Sequence, residues 1–228
     1  MPTSSEDSGY VLEKGLYRGP ELSELGRPAV IVVDMTNDFG HPEGVYPRHG
    51  AACDTLRSLI EPVARLLDAA ITAGVPTISV NQVIYADRSG RAVTGGGMVV
   101  ARPWLADEGL RPGSWGTQLV DGLPPTDYSI DKPRASGFYA TPLDVLLKGL
   151  GVDTVIIVGA YTNQCVVTTA RDAWARDFQV VVVTDGVTAF DGRLHAATLE
   201  SLKPLTTQLT SAEVVGRLGA VRAASPMG

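Results

Sequence analysis

The sequence predicts an α/β protein with three α/β/α layers, in which helices cover both faces of a Rossmann-like, mostly parallel six-stranded sheet. Apolar runs rich in β-branched residues, such as 29–33 and 155–158, are typical of parallel strands buried on both faces. Segments with helical spacing of apolar residues alternate with these runs, and Gly or Pro separates the two kinds of segment. This alternation indicates repeated β-α-β units.

The first half of the chain contains two predicted strands and one long helix. A strand over 29–34 ends in a carboxylate, and an amphipathic helix is predicted over 54–73. Pro62 lies inside the helical pattern and predicts either a kink or a late helix start. Gly74 is expected to end the helix before the second strand, 77–80.

The second half begins with a connection over 82–125, and a loop of this length inside a compact domain is usually functional. The elements predicted after it are strands at 128–132, 155–158, 180–183 and 213–215, and helices at 141–149, 166–175 and 194–202. We interpret residues 1–27 as an N-terminal arm lying on the surface or on a partner subunit, and 28–228 as one domain. The last six residues are expected to fray.

Bulk properties indicate a cytoplasmic protein that acts on a small molecule. The formal charge of −6 disfavours nucleic acid or an anionic membrane as a partner. No run approaches the roughly 18 apolar residues of a membrane span, and the polar, acidic N-terminus is unlike a signal peptide. Cys53 and Cys165 are expected to stay reduced, with Cys53 structural.

Cys165 is placed where a buried strand turns into a helix. Thr162 or Asn163 is suited to cap that helix, and the positive end of the helix dipole favours a thiolate. Such an environment suits a nucleophilic cysteine. The alternative is a small buried apolar residue, which describes most free cysteines.

Asp34 and Lys132 also fall at the carboxyl ends of predicted strands. Ligands of open parallel sheets bind beyond these ends, so the three side chains are expected to meet at one rim. Together they suit a cysteine hydrolase, in which a thiolate attacks a carbonyl, a carboxylate moves protons and an ammonium stabilises charge. Separately, Asp34 could simply cap a loop, and Lys132 could be solvated or paired with Asp131.

Three ordered motifs resemble those of the isochorismatase-like cysteine hydrolases. These are VVDMTNDF, DKPRASGFYATPLD and VIIVGAYTNQCVVTTARDAW, and the resemblance spans about residues 20–205. It implies that Asp34 is the general base and acid, Lys132 the charge-stabilising partner and Cys165 the nucleophile. It also implies a cis peptide between Ala160 and Tyr161, and an oxyanion hole formed by the backbone N–H groups of Tyr161 and Cys165.

The resemblance further implies a homodimer or homotetramer that needs no cofactor. Nicotinamidase-like relatives carry metal-binding Asp and His residues after the second strand, whereas 81–87 contains no His here. His41, His49 and His195 are widely spaced, and we expect no metal site. The first motif departs from the family at Thr36, where many relatives have Gln. Isochorismatases proper lack the nucleophilic cysteine, so Cys165 favours amide cleavage over vinyl-ether cleavage.

Within the family the chain most resembles ureidoacrylate, N-carbamoylsarcosine and biuret hydrolases, which implies a small ureido, carbamoyl or linear amide substrate. The side chains expected to bind it are Phe39, Trp115, Arg134, Phe138 and Gln164. A substrate carboxylate would suit an arginine, with Arg102, Arg111 and Arg134 as candidates.

Three other functions are compatible with such a fold. Hydrolysis of another amide such as maleamate and a non-catalytic Rossmann-like binding module remain alternatives. A dinucleotide-dependent oxidoreductase is disfavoured because no G-x-G-x-x-G follows the first strand. The substrate, the oligomeric state, and whether the 82–125 connection covers its own site or a neighbour's stay open.

Overall fold

The computed structural model describes residue 22 and residues 24–224, and it is built around a six-stranded sheet. The strands are β1 (Pro28–Val33), β2 (Thr77–Gln82), β3 (Tyr128–Lys132), β4 (Thr154–Ala160), β5 (Gln179–Thr188) and β6 (Thr207–Leu209). Their order is β3-β2-β1-β4-β5-β6, and every neighbouring pair is parallel. The predicted fold class is confirmed.

Nine α-helices, all within the described residues, accompany the sheet. They are α1 (Asn37–Gly40), α2 (Val45–Arg48), α3 (Asp54–Arg57), α4 (Ile60–Ala73), α5 (Gly97–Ala101), α6 (Leu143–Gly149), α7 (Val167–Trp174), α8 (Gly192–Leu202) and α9 (Ser211–Ala224). Short 3₁₀ turns occupy Pro103–Ala106 and Trp115–Thr117, and a π-helical turn occupies Thr162–Val166.

Alternate residues of the central strands enter two separate apolar cores. Val30 and Val32 of β1 face one core, which includes apolar side chains of α4 and α9. Ile31 and Val33 face the other core, which includes side chains of α6 and α7. Because every residue of β1 and β4 is buried, the sheet is covered on both faces, as the continuous apolar runs predicted.

Local sequence signals fix the start and end of α4. The segment predicted as one helix divides into α3 and α4. Pro62 lies in the first turn of α4, where proline is tolerated, so the helix starts late instead of being kinked. Gly74 follows the helix with φ of 70°, a left-handed conformation that suits glycine at a helix C-terminus.

The sixth strand was predicted at the wrong place. Residues 213–215 belong to α9, and β6 is the three-residue strand Thr207–Leu209 beside β5. A short apolar run does not distinguish a strand from the buried side of a helix. Here Asp185 accepts hydrogen bonds from the backbone N–H and hydroxyl of Ser211 at 2.6 and 2.7 Å, which starts the helix before Val214.

The predicted arm and tail lie largely outside the described residues. Only Leu22 and residues 24–27 of the arm are described, and residues 225–228 are not. Leu25 is fully buried in the first core, and the Arg27 backbone N–H donates to Asp153. In the described part of the chain, no helix combines the length and apolar character needed to span a bilayer.

Gly159 allows β4 to approach β1 closely beside the functional rim. Its φ is 112°, and a Cβ atom there would lie 2.0 Å from the carbonyl oxygen of Val33. We expect Gly159→Ala to lower the free energy of unfolding by about 2–4 kcal/mol, because both the backbone conformation and the contact forbid a side chain.

Urea denaturation measures this loss, with Gly149→Ala as the matched control. Gly149 is the last residue of α6, and a Cβ added to it would meet no atom within 4 Å. The control should be neutral or slightly stabilising. Equal stability of the two variants would contradict the close approach of β4 to β1.

Candidate active site

Four polar side chains meet where four neighbouring strands end. Gln82 and Lys132 are the last residues of β2 and β3, and Asp34 directly follows β1. Cys165 lies in the π-helical turn that follows β4. Because the sheet order is β3-β2-β1-β4, residues remote in sequence become neighbours at one rim. The expected convergence of Asp34, Lys132 and Cys165 is therefore present.

Lys132 is the centre of this cluster. Its Nζ lies 2.8 Å from Asp34 Oδ2 and 3.3 Å from Cys165 Sγ. It also donates to Gln82 Oε1 at 3.2 Å and to the Arg134 carbonyl at 3.4 Å. The second Asp34 oxygen accepts from the backbone N–H of Gln82 at 2.6 Å. The lysine is wholly buried, so this network replaces its hydration.

Electrostatics keep Lys132 charged. Burial by itself lowers the pKa of Lys132, but the adjacent Asp34 charge outweighs that effect and raises the pKa above its usual value. The alternative of a local pair with Asp131 is not what the structure shows. Asp131 is exposed, and adjacent residues of a strand point to opposite faces.

The surroundings of the Cys165 thiol favour its protonated form. Burial raises its pKa to about 12, and the Asp34 charge adds to the increase while Lys132 opposes it. The tendency of the helix dipole to favour a thiolate therefore does not prevail in the resting protein. Desolvation and a neighbouring carboxylate outweigh the positive end of the helix.

The turn that carries Cys165 is held by backbone and ring contacts. The Ala160–Tyr161 peptide is cis, as the family resemblance implied. The N–H groups of Gln164 and Val166 both donate to the Tyr161 carbonyl, at 2.9 and 3.2 Å. The Tyr161 ring stacks on Phe190, with centroids 4.0 Å apart. This turn therefore positions the thiol relative to the aromatic wall of the site.

Neither Thr162 nor Asn163 caps the following helix. No side-chain cap is present at the start of the π-helical turn or of α7. The buried Thr162 hydroxyl instead hydrogen-bonds to Nδ1 of His195 at 2.9 Å. Burial lowers the pKa of His195, which favours the neutral imidazole. His195 thus joins α8 to the turn that carries Cys165.

A small pocket lies above Cys165. Its lining residues are Asp34, Phe39, Tyr46, Gln82, Met98, Arg102, Tyr161, Gln164, Cys165 and Phe190. The cavity volume is about 10 Å³, enough for one water molecule. Side chains at the mouth must therefore move before a substrate can enter. Of the predicted substrate-binding residues, Phe39 and Gln164 line this pocket.

Three predicted substrate-binding residues do not line the pocket. Trp115 packs edge-on against His41 and is 46% exposed. The exposed Arg134 guanidinium donates to the Pro133 carbonyl. Phe138 is buried beside Phe178 in the second apolar core. Their place in the motifs or in the long connection did not indicate on which side of the backbone each side chain lies.

Several pocket residues were not predicted. Gln82 could have been found, because it ends the strand between those of Asp34 and Lys132. Tyr46, Met98 and Phe190 carry no comparable signal, since they lie on or next to short helices outside the motifs. Of the three candidate arginines only Arg102 lines the pocket, whereas the Arg111 guanidinium donates to carbonyls of its own connection.

Throughout the part of the chain that the structure describes, no three His, Cys, Asp or Glu side chains are grouped as metal ligands would be.

A parallel α/β/α sheet that assembles a thiol, a carboxylate and a buried ammonium at one rim defines a class of cysteine hydrolases. Residues 28–214 match the family model described as the Isochorismatase domain. The chain belongs to this family and is an isochorismatase-like cysteine hydrolase.

Named relatives agree with this assignment. Ureidoacrylate amidohydrolase RutB of Methylobacterium radiotolerans is 33% identical over 186 residues, covering 76% of this chain and 72% of that protein. A cysteine hydrolase from Pseudomonas syringae pv. phaseolicola has a TM-score of 0.76 at 28% identity, covering 86% and 93% of the two chains. N-carbamoylsarcosine amidase from Thermoplasma acidophilum has a TM-score of 0.64 at 29% identity, covering 81% and 96%.

The elevated pKa of Cys165 leads to a prediction for Asp34→Asn. Removing the carboxylate charge should lower the pKa of the thiol and speed its alkylation by iodoacetamide at about pH 9. For each unit by which the pKa of the thiol falls, the thiolate fraction rises about tenfold, but the nucleophilicity of that thiolate falls. The net gain in the alkylation rate is therefore about threefold for each pKa unit. Peptide mapping reports Cys165 and Cys53 separately, and Cys53 serves as the internal control. A slower reaction at Cys165 would contradict the electrostatic assignment.

The buried ion pair leads to a prediction for Lys132→Met. This change leaves Asp34 buried without its counterion and should cost about 3–5 kcal/mol of unfolding free energy. Lys148→Met is the control, because Lys148 forms an exposed pair with Asp144 worth at most about 1 kcal/mol. Chemical denaturation compares the two. A Lys132 variant as stable as the control would show that the pair does not support the fold.

Proposed function

We propose that this protein is a cysteine amidohydrolase that cleaves a carbon–nitrogen bond of a small ureido, carbamoyl or linear amide substrate and releases ammonia. The observation that carries this proposal is the contact of the buried Lys132 with both Asp34 and Cys165, two residues that line a pocket. Relatives named as ureidoacrylate amidohydrolase and N-carbamoylsarcosine amidase support carbon–nitrogen cleavage.

In the first step Cys165 attacks the carbonyl carbon while Asp34 takes the thiol proton. Because the resting pKa of the thiol is about 12, little thiolate exists near neutral pH. Proton transfer therefore accompanies attack on the bound substrate. Asp34 has one oxygen held by the Gln82 N–H and the other by Lys132, which fixes the carboxylate beside the thiol.

Attack places negative charge on the former carbonyl oxygen. We assign its stabilisation to the backbone N–H groups of Tyr161 and Cys165, which belong to the turn with the cis peptide. One such donor typically contributes about 3 kcal/mol to lowering the barrier. Lys132 stays beside Asp34, which now carries the thiol proton, and the ammonium charge balances the charge of the oxyanion.

Collapse of the tetrahedral intermediate breaks the carbon–nitrogen bond. The proton now on Asp34 passes to the departing nitrogen, so that ammonia leaves and a thioester to Cys165 remains. Water then attacks the thioester, and Asp34 accepts a proton from it. When the carboxylic acid product is released, Asp34 returns this proton to the sulfur, which restores the resting thiol.

The test is ammonia release from a panel containing 3-ureidoacrylate, N-carbamoylsarcosine, biuret and maleamate. Cys165→Ala should abolish turnover, and Asp34→Asn should lower kcat by about 10²–10⁴-fold, because a general base is lost. Loss of activity in Asp34→Asn is expected even though its thiol is more acidic. That combination separates general-base catalysis from a mechanism that uses a standing thiolate.

Cys53→Ala is the control for the loss of a cysteine. Because Cys53 is outside the pocket, this variant is expected to retain activity. Acid quenching during turnover, followed by intact-mass measurement, should detect an adduct on Cys165 that hydroxylamine removes. Near-normal turnover by Asp34→Asn, or ammonia release by Cys165→Ala, would rule out the proposed roles.

A further inference from the structure

A second cavity, which we call the polar groove, lies between β2, β3 and the long connection. Its volume is about 540 Å³, which is within the range of small-molecule sites. Ser79, Asn81, Ser129 and Asp131 line it from the two strands, and residues of 113–126 line it from the connection. The proposed reaction uses none of these residues, although the length of the connection predicted a functional role for it.

The strand side of the polar groove is a patch of four polar side chains. Neighbouring residues of a strand point to opposite faces, and Val80 enters the second apolar core, so Ser79 and Asn81 point away from that core. In the register of β2 with β3, Ser79 pairs with Ser129 and Asn81 pairs with Asp131. The four side chains therefore lie side by side in two rows.

Asn81 brings an unsatisfied acceptor to this patch. The side chain is buried, with 3% of its surface exposed. Its amide nitrogen donates to the hydroxyl oxygens of Ser79 and Ser129 at 3.4 and 3.2 Å. The amide oxygen Oδ1, in contrast, has no hydrogen-bond partner among the described residues. A buried polar atom without a partner is costly, and a ligand with an N–H group would satisfy it.

Asp131 gives the polar groove its charge. Partial burial raises the pKa of Asp131, and within residues 24–224 no neighbouring cation lowers that pKa again. Of the described residues that line the groove, none is Lys, Arg or His. The carboxylate is therefore an uncompensated negative charge beside the free oxygen of Asn81.

The charge and the acceptors together select a primary ammonium as the ligand. One carboxylate matches one positive charge, and an ammonium has three N–H donors for the acceptors of Asp131, Asn81 and Ser129. An anion is repelled by Asp131. A metal ion such as Ca²⁺ requires roughly six to eight oxygen ligands, whereas the described part of the chain has no group of three acidic, His or Cys side chains.

The connection adds an apolar side to the polar groove. Leu119, Leu123 and Pro125 line it there. The carbonyl of Gln118 accepts a hydrogen bond from the N–H of Asn37 at 3.0 Å, which ties this part of the connection to α1. The apolar side is therefore in place before a ligand arrives. Apolar surface next to a carboxylate suits an ammonium that carries an apolar group.

We propose that the polar groove is a second binding site of this protein, for a small organic cation in which a primary ammonium is joined to an apolar group. Asp131 pairs with the ammonium, and the Asn81 and Ser129 oxygens accept its other N–H groups. The apolar group packs against Leu119 and Leu123.

This site is separate from the one at Cys165. Asn81 and Asp131 directly precede Gln82 and Lys132 on their strands, and adjacent strand residues point to opposite faces of the sheet. Binding in the groove is therefore independent of the reaction proposed for the thiol.

The experiment compares phenethylamine with 2-phenylethanol, which has the same ring and chain but no charge. Calorimetry on the full wild-type chain at neutral pH should show that the amine binds about tenfold more tightly than the alcohol. Asp131→Asn keeps the shape of the side chain and removes its charge. This variant should bind the amine about tenfold more weakly and the alcohol as the wild type does.

Asp121→Asn is the matched control. It removes the same charge from the connection, but Asp121 is exposed and does not line the groove. Its affinity for the amine should equal that of the wild type. Asn81→Leu tests the unsatisfied oxygen and should weaken amine binding about tenfold, and urea denaturation checks that this variant is folded. Equal binding of both probes by the wild type, or an equal loss in Asp121→Asn, would overturn the site.

Two further measurements locate the bound amine. Backbone amide NMR should show shifts at Asn81 and Ser129 and none at Gln164, and Cys165→Ala should bind the amine as tightly as the wild type. Shifts confined to the pocket above Cys165 would contradict the proposal. Sedimentation velocity on the same samples shows whether copies of the chain cover the groove instead. In that case neither probe binds and Asp131→Asn changes the oligomeric state, which would also overturn the site.

Discussion

Complete burial of the Lys132 ammonium is the constraint on which the site depends. An ammonium removed from water is tolerated only if charge and hydrogen bonds replace its hydration. Here a carboxylate, an amide oxygen, a backbone carbonyl and a sulfur provide that replacement, and three of these come from different strands or strand ends. The ends of β1, β2, β3 and β4 must therefore lie at one level, and the parallel sheet achieves this alignment.

The same constraint sets the reactivity of the thiol. A carboxylate that balances Lys132 also lies beside Cys165 and opposes ionisation of the sulfur. The resting site is consequently a charged pair next to a neutral thiol. An arrangement of this kind avoids burying two negative charges beside one positive charge. The carboxylate that stabilises the buried lysine is thus also the one to which we assign the thiol proton.

How well each feature could be predicted follows from the forces that determine it. The buried runs of β1 and β4 have a hydrophobic pattern that only a two-sided sheet satisfies, so the strand ends, and with them Asp34, Lys132 and Cys165, could be located from sequence. The depth of Lys132 could not be foreseen, because burial of a lysine depends on partners from other strands. How strongly burial raises the pKa of the thiol could not be predicted for the same reason, since desolvation is a property of the assembled fold.

The pocket wall was the least predictable part, because residues 82–125 follow no hydrophobic period. Trp115 and Arg134 were expected in the pocket from their neighbourhood in sequence, yet packing directs both side chains elsewhere. Arg102 could be proposed only as one of three arginines, and the cation–π contact with Tyr46 distinguishes it from the others. β6 was misplaced because a three-residue strand has too few residues to show a period.

The division between floor and wall has a consequence for how this fold acquires specificity. The floor of the pocket consists of residues at strand ends, whose positions the sheet fixes. A substitution there therefore disturbs both the ion pair and the proposed reaction. The wall includes Met98, Arg102 and Phe190, which lie on a short helix or in loops rather than on strands. Substitutions in the wall can change which group is recognised while Asp34, Lys132 and Cys165 keep their geometry.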